Sequence, residues 1–312
     1  MRLITFEHDG KTKIGVERGT KVVDIAAATR AYGHLTSEMQ LSAYAAAVAG
    51  DLKAFLQQGE QGLDFVRSLM GSVNEQEQDI QTEYLLSAAD IQLRAPLLRP
   101  GKIVCVGKNY RDHAVEMHSE LPITPIIFAK FANVISDPDA KVMKPIQSNQ
   151  LDYEAELAVI IGKTGRRIRR EVAYEYIAGY SCFNDLSVRD YQMRTSQWLQ
   201  GKTFDGSGPF GPALVTKDEI LDPQNLDIRC YVNGEVRQQA NTRQMIFDLP
   251  FLIEFISGIM TLEPGDVIAT GTPSGVAAGM RDAMYLQVGD EVVVDIEQIG
   301  QLRNFIVSDV MH

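Results

Sequence analysis

The chain has 312 residues, of which 45% are hydrophobic and 23% charged. This is the make-up of an ordinary globular protein with room for one large domain or two unequal ones. A formal net charge of −11 argues against nonspecific nucleic-acid binding, which needs Lys and Arg to neutralise phosphates. Cys105, Cys182 and Cys230 are widely spaced in apolar surroundings, offer no disulfide framework, and suit a reducing, cytoplasmic setting. No apolar run approaches the roughly 18 residues of a membrane span. Glu7, His8 and Asp9 interrupt any apolar leader.

In chain order, Arg2–Phe6 and Lys13–Val16 flank His8-Asp9-Gly10 and predict a hairpin. A short strand over Lys21–Ile25 follows. Helical patterns run near Ser37–Ala49, Asp51–Gln57 and Gly62–Leu69, with Gly59 as a stop. Asn74–Glu83 is polar and reads as a solvated helix or a linker. His8 and His34 stand alone in this part and read as surface histidines. Pro96 and Pro100 punctuate the chain and place a domain boundary near 95, giving a small α+β module over 1–95 and a larger domain over 96–312. From Lys102 strands dominate: Ile103–Val106, Ile126–Lys130, Leu157–Ile161 and Tyr176–Phe183. Tyr110–Met117 predicts one or two helical turns, and Asp205–Pro212 an irregular loop. Ile228–Val232, Asn233-Gly234 and Glu235–Gln239 read as a hairpin, and Ile246–Met260 as a helix with Pro250 near its start. Asp266–Ala269 and Glu291–Ile296 are further strands.

The chemistry concentrates between Leu151 and Lys202. Residues two apart in a strand share a face, so Glu154 and Glu156 set two carboxylates side by side at the edge of an apolar run. Like charges so close repel unless neutralised, and Mg²⁺ or Mn²⁺ prefers such oxygen ligands. Asp185, at the end of the second apolar run, supplies a third acid. Arg189 and Gln192 follow within seven residues, on one face if a helix starts there. Lys202 lies 17 residues beyond Asp185. His113 and Glu116, spaced i, i+3, can touch on a helical turn, and a carboxylate holding one imidazole nitrogen leaves the other as a base. His118 is a second histidine nearby. Gly162-Lys163-Thr164 and Gly201-Lys202-Thr203 end as phosphate loops do, but Leu157 and Ser196 stand where the first glycine belongs. No H-E-x-x-H zinc motif occurs, and with five histidines a His-rich site is disfavoured.

These residues, in this order, resemble the fumarylacetoacetate hydrolase superfamily. The resemblance rests on Asp152-Tyr153-Glu154-Ala155-Glu156-Leu157, Phe183-Asn184-Asp185, Arg189-Asp190 with Gln192, and Lys202-Thr203-Phe204. Gly107-Lys108-Asn109-Tyr110 with His113 and Glu116, Phe128-Ala129-Lys130, Val232-Asn233-Gly234-Glu235, Gly265-Asp266 and Gly271-Thr272-Pro273 extend it from about Pro96 to the C-terminus.

The resemblance implies an α+β, predominantly β fold: a mixed, largely antiparallel β-sandwich roll behind a small N-terminal α+β domain. It assigns Glu154, Glu156 and Asp185 to a divalent metal (Mg²⁺ or Mn²⁺, with Ca²⁺ a further option). It makes Arg189, Gln192 and Thr272 substrate contacts and His113, Glu116 and Lys202 the catalytic set, with the His113 segment a lid. The activity expected from it is metal-dependent hydrolysis of a C–C bond in an acylpyruvate-type β-diketo acid. Decarboxylation of oxaloacetate or a similar 2-oxo acid, or isomerisation of 2-hydroxyhepta-2,4-diene-1,7-dioate, is the alternative. A small keto acid is the expected partner, with neither nucleic acid nor membrane, in a homodimer. A scaffold that merely kept the fold would not need these side chains together.

Overall fold

The computed structural model describes residues 1–32, 37–73 and 83–309. His34 and almost all of the polar 74–83 stretch lie outside the described residues. The first part carries β1 (Arg2–His8), β2 (Lys11–Arg18), β3 (Lys21–Asp24), α1 (Ile25–Tyr32), α2 (Glu38–Ala49), α3 (Leu52–Leu56), α4 (Gly59–Ser72), β4 (Leu85–Ser87) and β5 (Gln92–Arg94). Then come β6 (Ile103–Gly107), α5 (Arg111–Glu116), β7 (Ile126–Lys130), β8 (Ile135–Ser136), β9 (Lys141–Lys144), β10 (Leu151–Asp152), β11 (Ala155–Ile161), β12 (Ile177–Asn184) and β13 (Ser187–Val188). The chain continues through α6 (Arg189–Gln192), α7 (Leu199–Lys202), β14 (Gly208–Thr216), β15 (Asp227–Val232), β16 (Glu235–Asn241), α8 (Leu249–Ile259), β17 (Val267–Ala269), β18 (Glu291–Ile296) and β19 (Gly300–Ser308).

Local chemistry explains the elements. The β1–β2 hairpin turns through Asp9 and Gly10, both at positive φ, as a two-residue turn requires. Ser37 and Gln40 form a capping box at the start of α2. Asp248 caps α8 by accepting from the Phe251 N–H, with Pro250 in the first turn where its missing N–H costs nothing. Gly59 was expected to stop a helix; instead it opens α4, at φ 63°.

One sheet runs β4-β3-β2-β1-β14-β12-β11-β17-β6-β7, with β5 on β1 and β8 on β14; a second runs β16-β15-β18-β19-β9. Most pairings are antiparallel, and β17–β6, β14–β8 and β19–β9 are parallel. The α+β, strand-dominated class expected from the sequence is the one observed. The first 95 residues and the rest meet in the large sheet, where β1 pairs with β14. The Gly- and Pro-rich stretch expected as a loop is, from Gly208 onward, the start of β14. Its glycines serve close packing there: a Cβ on Gly208 would lie 2.6 Å from the Val134 side chain.

β11 is buried over its whole length. Leu157, Val159 and Ile161 join one core with Ile228, Val294 and Leu302 of the second sheet. Ala158 and Ile160 point the other way, into a core with Phe55, Leu63 and Val66 of the N-terminal helices. A strand covered on both faces is fixed in register, because a slip of one residue would exchange its two cores. That register also fixes where Glu154 and Glu156 emerge.

Candidate active site

β11 and β12 are neighbours, and the backbone N–H of Asp185 donates to the carbonyl of Glu154 at 2.9 Å. The ends of two apolar strands thereby bring Glu154, Glu156 and Asp185 together. Their carboxylate oxygens lie within 4.8 Å of one another, and all three residues are buried. Three cations converge on them. Lys202, from the short α7, donates to Glu154 Oε2 and Asp185 Oδ2, each at 2.7 Å. Lys130, the last residue of β7, donates to Asp185 Oδ1 at 2.7 Å and to the Leu186 carbonyl at 3.0 Å. Arg189 opens α6 and pairs with Glu154 Oε1 at 2.7 Å and with Asp152 Oδ2 at 2.8 Å.

The charges do not balance. Four buried carboxylates (Asp152, Glu154, Glu156, Asp185) meet three cations (Lys130, Lys202, Arg189), leaving one formal negative charge if all are ionised. Among the described residues no cation forms an ion pair with Glu156, which accepts the Gly271 N–H at 2.9 Å. Gly271 stands at φ 102°, a backbone region natural only to glycine, and this turns its N–H toward the carboxylate. Burial, together with the charges of Asp185 and Glu154, pushes the Glu156 carboxyl well above the usual range. Glu154 goes the other way: burial works against its charge, but Lys202 and Arg189 outweigh it and hold the carboxyl down at about 2. Lys202 is raised, as Asp185 and Glu154 overcome its burial, whereas Lys130 is lowered by burial and by the neighbouring Lys202. An all-oxygen donor set with one unbalanced carboxylate fits a hard divalent cation.

A cavity of about 160 Å³ opens onto this cluster, lined by His113, Glu154, Glu156, Arg189, Gln192, Lys202 and Thr272. Asp185 lies directly behind it, fully buried. Gln192 accepts from Arg189 Nη1 at 2.9 Å. Thr272 accepts from Gln238 Nε2 at 2.8 Å. On α5, His113 Nδ1 faces Glu116 Oε2 at 3.4 Å, and the Gly275 N–H holds both Glu116 oxygens at 2.9 and 3.1 Å. Asn109 fixes the lead-in to α5: its side chain bonds to Phe247 and Thr270 backbone groups at 2.8–3.1 Å. His118 lies past the helix and away from the cavity lining. Of the two phosphate-loop look-alikes, Lys163 is exposed over the Tyr176 ring, while Lys202 sits in the site.

The candidate residues named from the sequence therefore stand around one cavity, with Glu116 and Asp185 behind it. Sequence reasoning gave no role to Lys130, Asp152, Gln238 or Trp198. Lys130 and Asp152 stand inside quoted motifs, so a signal was present. Gln238 and Trp198 had none; Trp198 lines the cavity, edge-on to Phe128 and against Gly107, where a Cβ would come within 2.5 Å of its ring.

The chain is similar to known proteins over almost its whole length. Residues 102–307 match the family model described as fumarylacetoacetate (FAA) hydrolase C-terminal. The oxaloacetate tautomerase, mitochondrial, of Xenopus laevis is 43% identical over 98% of this chain and 90% of its own length. A fumarylacetoacetate hydrolase from Exiguobacterium antarcticum superposes with a TM-score of 0.79 at 36% identity, covering 99% of this chain and 100% of its own. The maleylpyruvate hydrolase of a Sphingobium species, solved with manganese(II) and pyruvate, superposes at 0.76 with 28% identity, covering 99% of this chain and 100% of its own. These relatives overturn the cytoplasmic expectation, since those from Xenopus laevis, Bos taurus and Homo sapiens are named as mitochondrial. Lack of a disulfide framework separates oxidising from reducing surroundings but does not tell one reducing compartment from another. Among the described residues no helix is long and apolar enough to cross a membrane.

Burying Glu156 protonated contributes stability that is fully present below its ordinary value of 4.5 and is lost as pH rises towards its raised folded value. A bound divalent cation would reverse that loss. The expected outcome in thermal unfolding is a metal-induced rise in Tm that is larger at about pH 8 than at about pH 5. Glu156→Gln should shrink that rise. If this variant binds Mg²⁺ in calorimetry as the parent does, the ion sits elsewhere. The matching family model, the relatives at this identity and the shared fold place this chain in the fumarylacetoacetate hydrolase family of enzymes.

Proposed function

We propose that this protein is a divalent-metal-dependent enzyme of keto–enol chemistry, an oxaloacetate tautomerase acting on a small 2-oxo dicarboxylate. One observation carries the reading. Arg189 is 5% exposed and spends its Nε and Nη1 donors on Asp152, Glu154 and Gln192, yet its buried Nη2 has no partner. A buried guanidinium with unused donors, on a residue that lines a small cavity, suits a carboxylate ligand. The relatives' name supports oxaloacetate, and C–C hydrolysis gives way to a reading that takes its substrate from the decarboxylase alternative and its reaction class from the isomerase alternative, although tautomerisation of oxaloacetate is neither of them. Support for hydrolysis as a second reading comes from the maleylpyruvate hydrolase, which has the same fold and was solved with a metal and pyruvate.

In the proposed reaction Glu154, Glu156 and Asp185 hold the cation. When bound, the cation supplies a Lewis acid that polarises the 2-oxo group. Arg189 and Gln192 orient the substrate, and Thr272 bounds its position. His113, with Nδ1 turned to Glu116, takes the proton from C3 through Nε2 and returns a proton to the oxygen on C2. No atom is gained or lost. The Lys202 ammonium stabilises the negative charge that gathers on the oxygen as the proton leaves. Hydrolysis would add one requirement, an activated water beside the carbonyl. A homodimer is part of the proposal: apolar Ile123, Ile126 and Phe131 stand exposed at and around the edge strand β7, and sedimentation equilibrium reads the mass directly.

Purified protein with Mg²⁺ or Mn²⁺ should accelerate interconversion of enol and keto oxaloacetate, lose this with EDTA, and hydrolyse acylpyruvates more slowly. Release of pyruvate from oxaloacetate at the same rate would point to decarboxylation, and faster acylpyruvate cleavage to the hydrolase. His113→Ala should reduce tautomerisation by about 10²-fold or more, with Glu116→Gln in between. Normal turnover in His113→Ala with metal bound would remove the dyad from the mechanism.

Lys202→Met keeps the stem and removes the ammonium. It should lower kcat by about 10²–10³-fold. Metal affinity should hold or rise, because a competing cation leaves Glu154 and Asp185. A rate within about threefold of the parent would show that the ammonium has no part in the step.

A further inference from the structure

Asp152 is fully buried and does not line the cavity, yet both of its oxygens are fully engaged. Oδ1 accepts the backbone N–H groups of Tyr153 and Ala277, each at 2.9 Å. Oδ2 accepts Ala278 N–H at 3.0 Å and Arg189 Nε at 2.8 Å. Three backbone donors thus fix a carboxylate whose one side-chain partner is the guanidinium. A guanidinium is a planar fork, so holding Nε sets the direction of Nη2. The other two partners of Arg189 are less constant. Glu154 is a metal-ligand candidate already shared with Lys202, and Gln192 lies on the cavity wall where substrate can compete for it.

We propose that Asp152 is a positioning residue for the reaction: it anchors Arg189 through Nε and so aims the unpartnered Nη2 edge at the substrate carboxylate. The inference rests on the reading above, that Arg189 receives that carboxylate. Asp152 itself touches neither substrate nor metal. Its one side-chain link towards the substrate is Arg189, while its backbone bonds hold the Ala277–Ala278 segment, so the test must separate the two.

The test uses the full chain loaded with Mn²⁺ and oxaloacetate as substrate. Asp152→Asn, Arg189→Lys and the double variant are compared for KM, kcat, Mn²⁺ affinity and Tm. Asp152→Ser, which retains an acceptor for one of the backbone N–H groups, serves as a second variant. Asp152→Asn should raise KM about tenfold or more, with kcat within about threefold and Mn²⁺ affinity unchanged. Arg189→Lys should raise KM by a similar factor, and the double variant should be no worse than Arg189→Lys alone. Effects that multiply, a KM unchanged in Asp152→Asn, or a loss of Mn²⁺ binding in step with activity would overturn the proposal. So would failure of both Asp152 variants to fold while Arg189→Lys folds, since Asp152 would then be structural. If Arg189→Lys leaves KM unchanged, the carboxylate reading falls and the inference with it. If Arg189→Lys raises KM and Asp152→Asn does not, the reading stands and only the inference falls.

Discussion

The constraint on which the rest depends is the burial of ionised groups in one small volume. Removing a charge from water costs several kcal/mol even after the protein relaxes, so such a cluster persists only when the partners are close and fixed. Here they are fixed by secondary structure rather than by flexible side chains alone. Glu156 lies within β11, Glu154 just before it and Asp185 just after β12, and these two strands are hydrogen-bonded neighbours. Lys130 ends β7, Lys202 ends α7 and Arg189 begins α6. Each cation enters from an element of its own, and none is free to swing into solvent without leaving a carboxylate uncompensated.

This arrangement also governs the chemistry. The cluster keeps Glu154 ionised through Lys202 and Arg189 but leaves Glu156 without an ion pair, so the demand for further positive charge is local and directed. Hydrolysis of a β-diketo acid, decarboxylation of a 2-oxo acid and keto–enol isomerisation all gather negative charge on an oxygen next to a carboxylate. A site built to receive that charge serves all three. In the proposed mechanism what separates them is the proton mover and the access of water, which that proposal puts on α5 and its surroundings rather than in the charged floor. Related proteins with this fold do bear different reaction names.

Much of this was legible in the sequence, for identifiable reasons. The apolar runs ending in Glu154, Glu156 and Asp185 announce themselves because a strand buried on both faces has to be continuously apolar, and acids at its end break the pattern. The His113–Glu116 spacing is local, so one helical turn suffices to join the two. Lys130 and Gln238 are different. Each reaches its partner across 55 and 83 residues, Asp185 and Ala155 respectively, and only the sheet order brings them near. The start of β14 was hidden for another reason. Gly208, Pro209, Gly211 and Pro212 carry the composition of a loop, but there the glycines admit neighbouring side chains and the strand still pairs with β12 and β8. Compartment could not be read at all, because three buried thiols record only that no disulfide was needed.

The segment from Thr270 to Gly279 ties these parts into one unit. The Thr270 carbonyl takes the amide of Asn109, which holds the lead-in to α5. Gly271 donates to Glu156, Thr272 stands at the cavity on the amide of Gln238, and Gly275 donates to Glu116. Ala277 and Ala278 then bind Asp152, and through it Arg189. Ten consecutive residues with little regular structure thus contact the acid triad, the imidazole's partner and the anchor of the guanidinium. Such a stretch can be irregular because its conformation is set from outside, by the buried Glu156 and Asp152 and the half-buried Glu116, which each take its N–H groups. Close packing enforces it as well: a Cβ on Gly279 would lie 2.3 Å from the Glu116 carboxyl carbon, and one on Gly275 would lie 2.0 Å from the Arg237 carbonyl. A shift anywhere along it would therefore be felt at more than one carboxylate, so the charged floor and the α5 dyad are held in register by the same backbone.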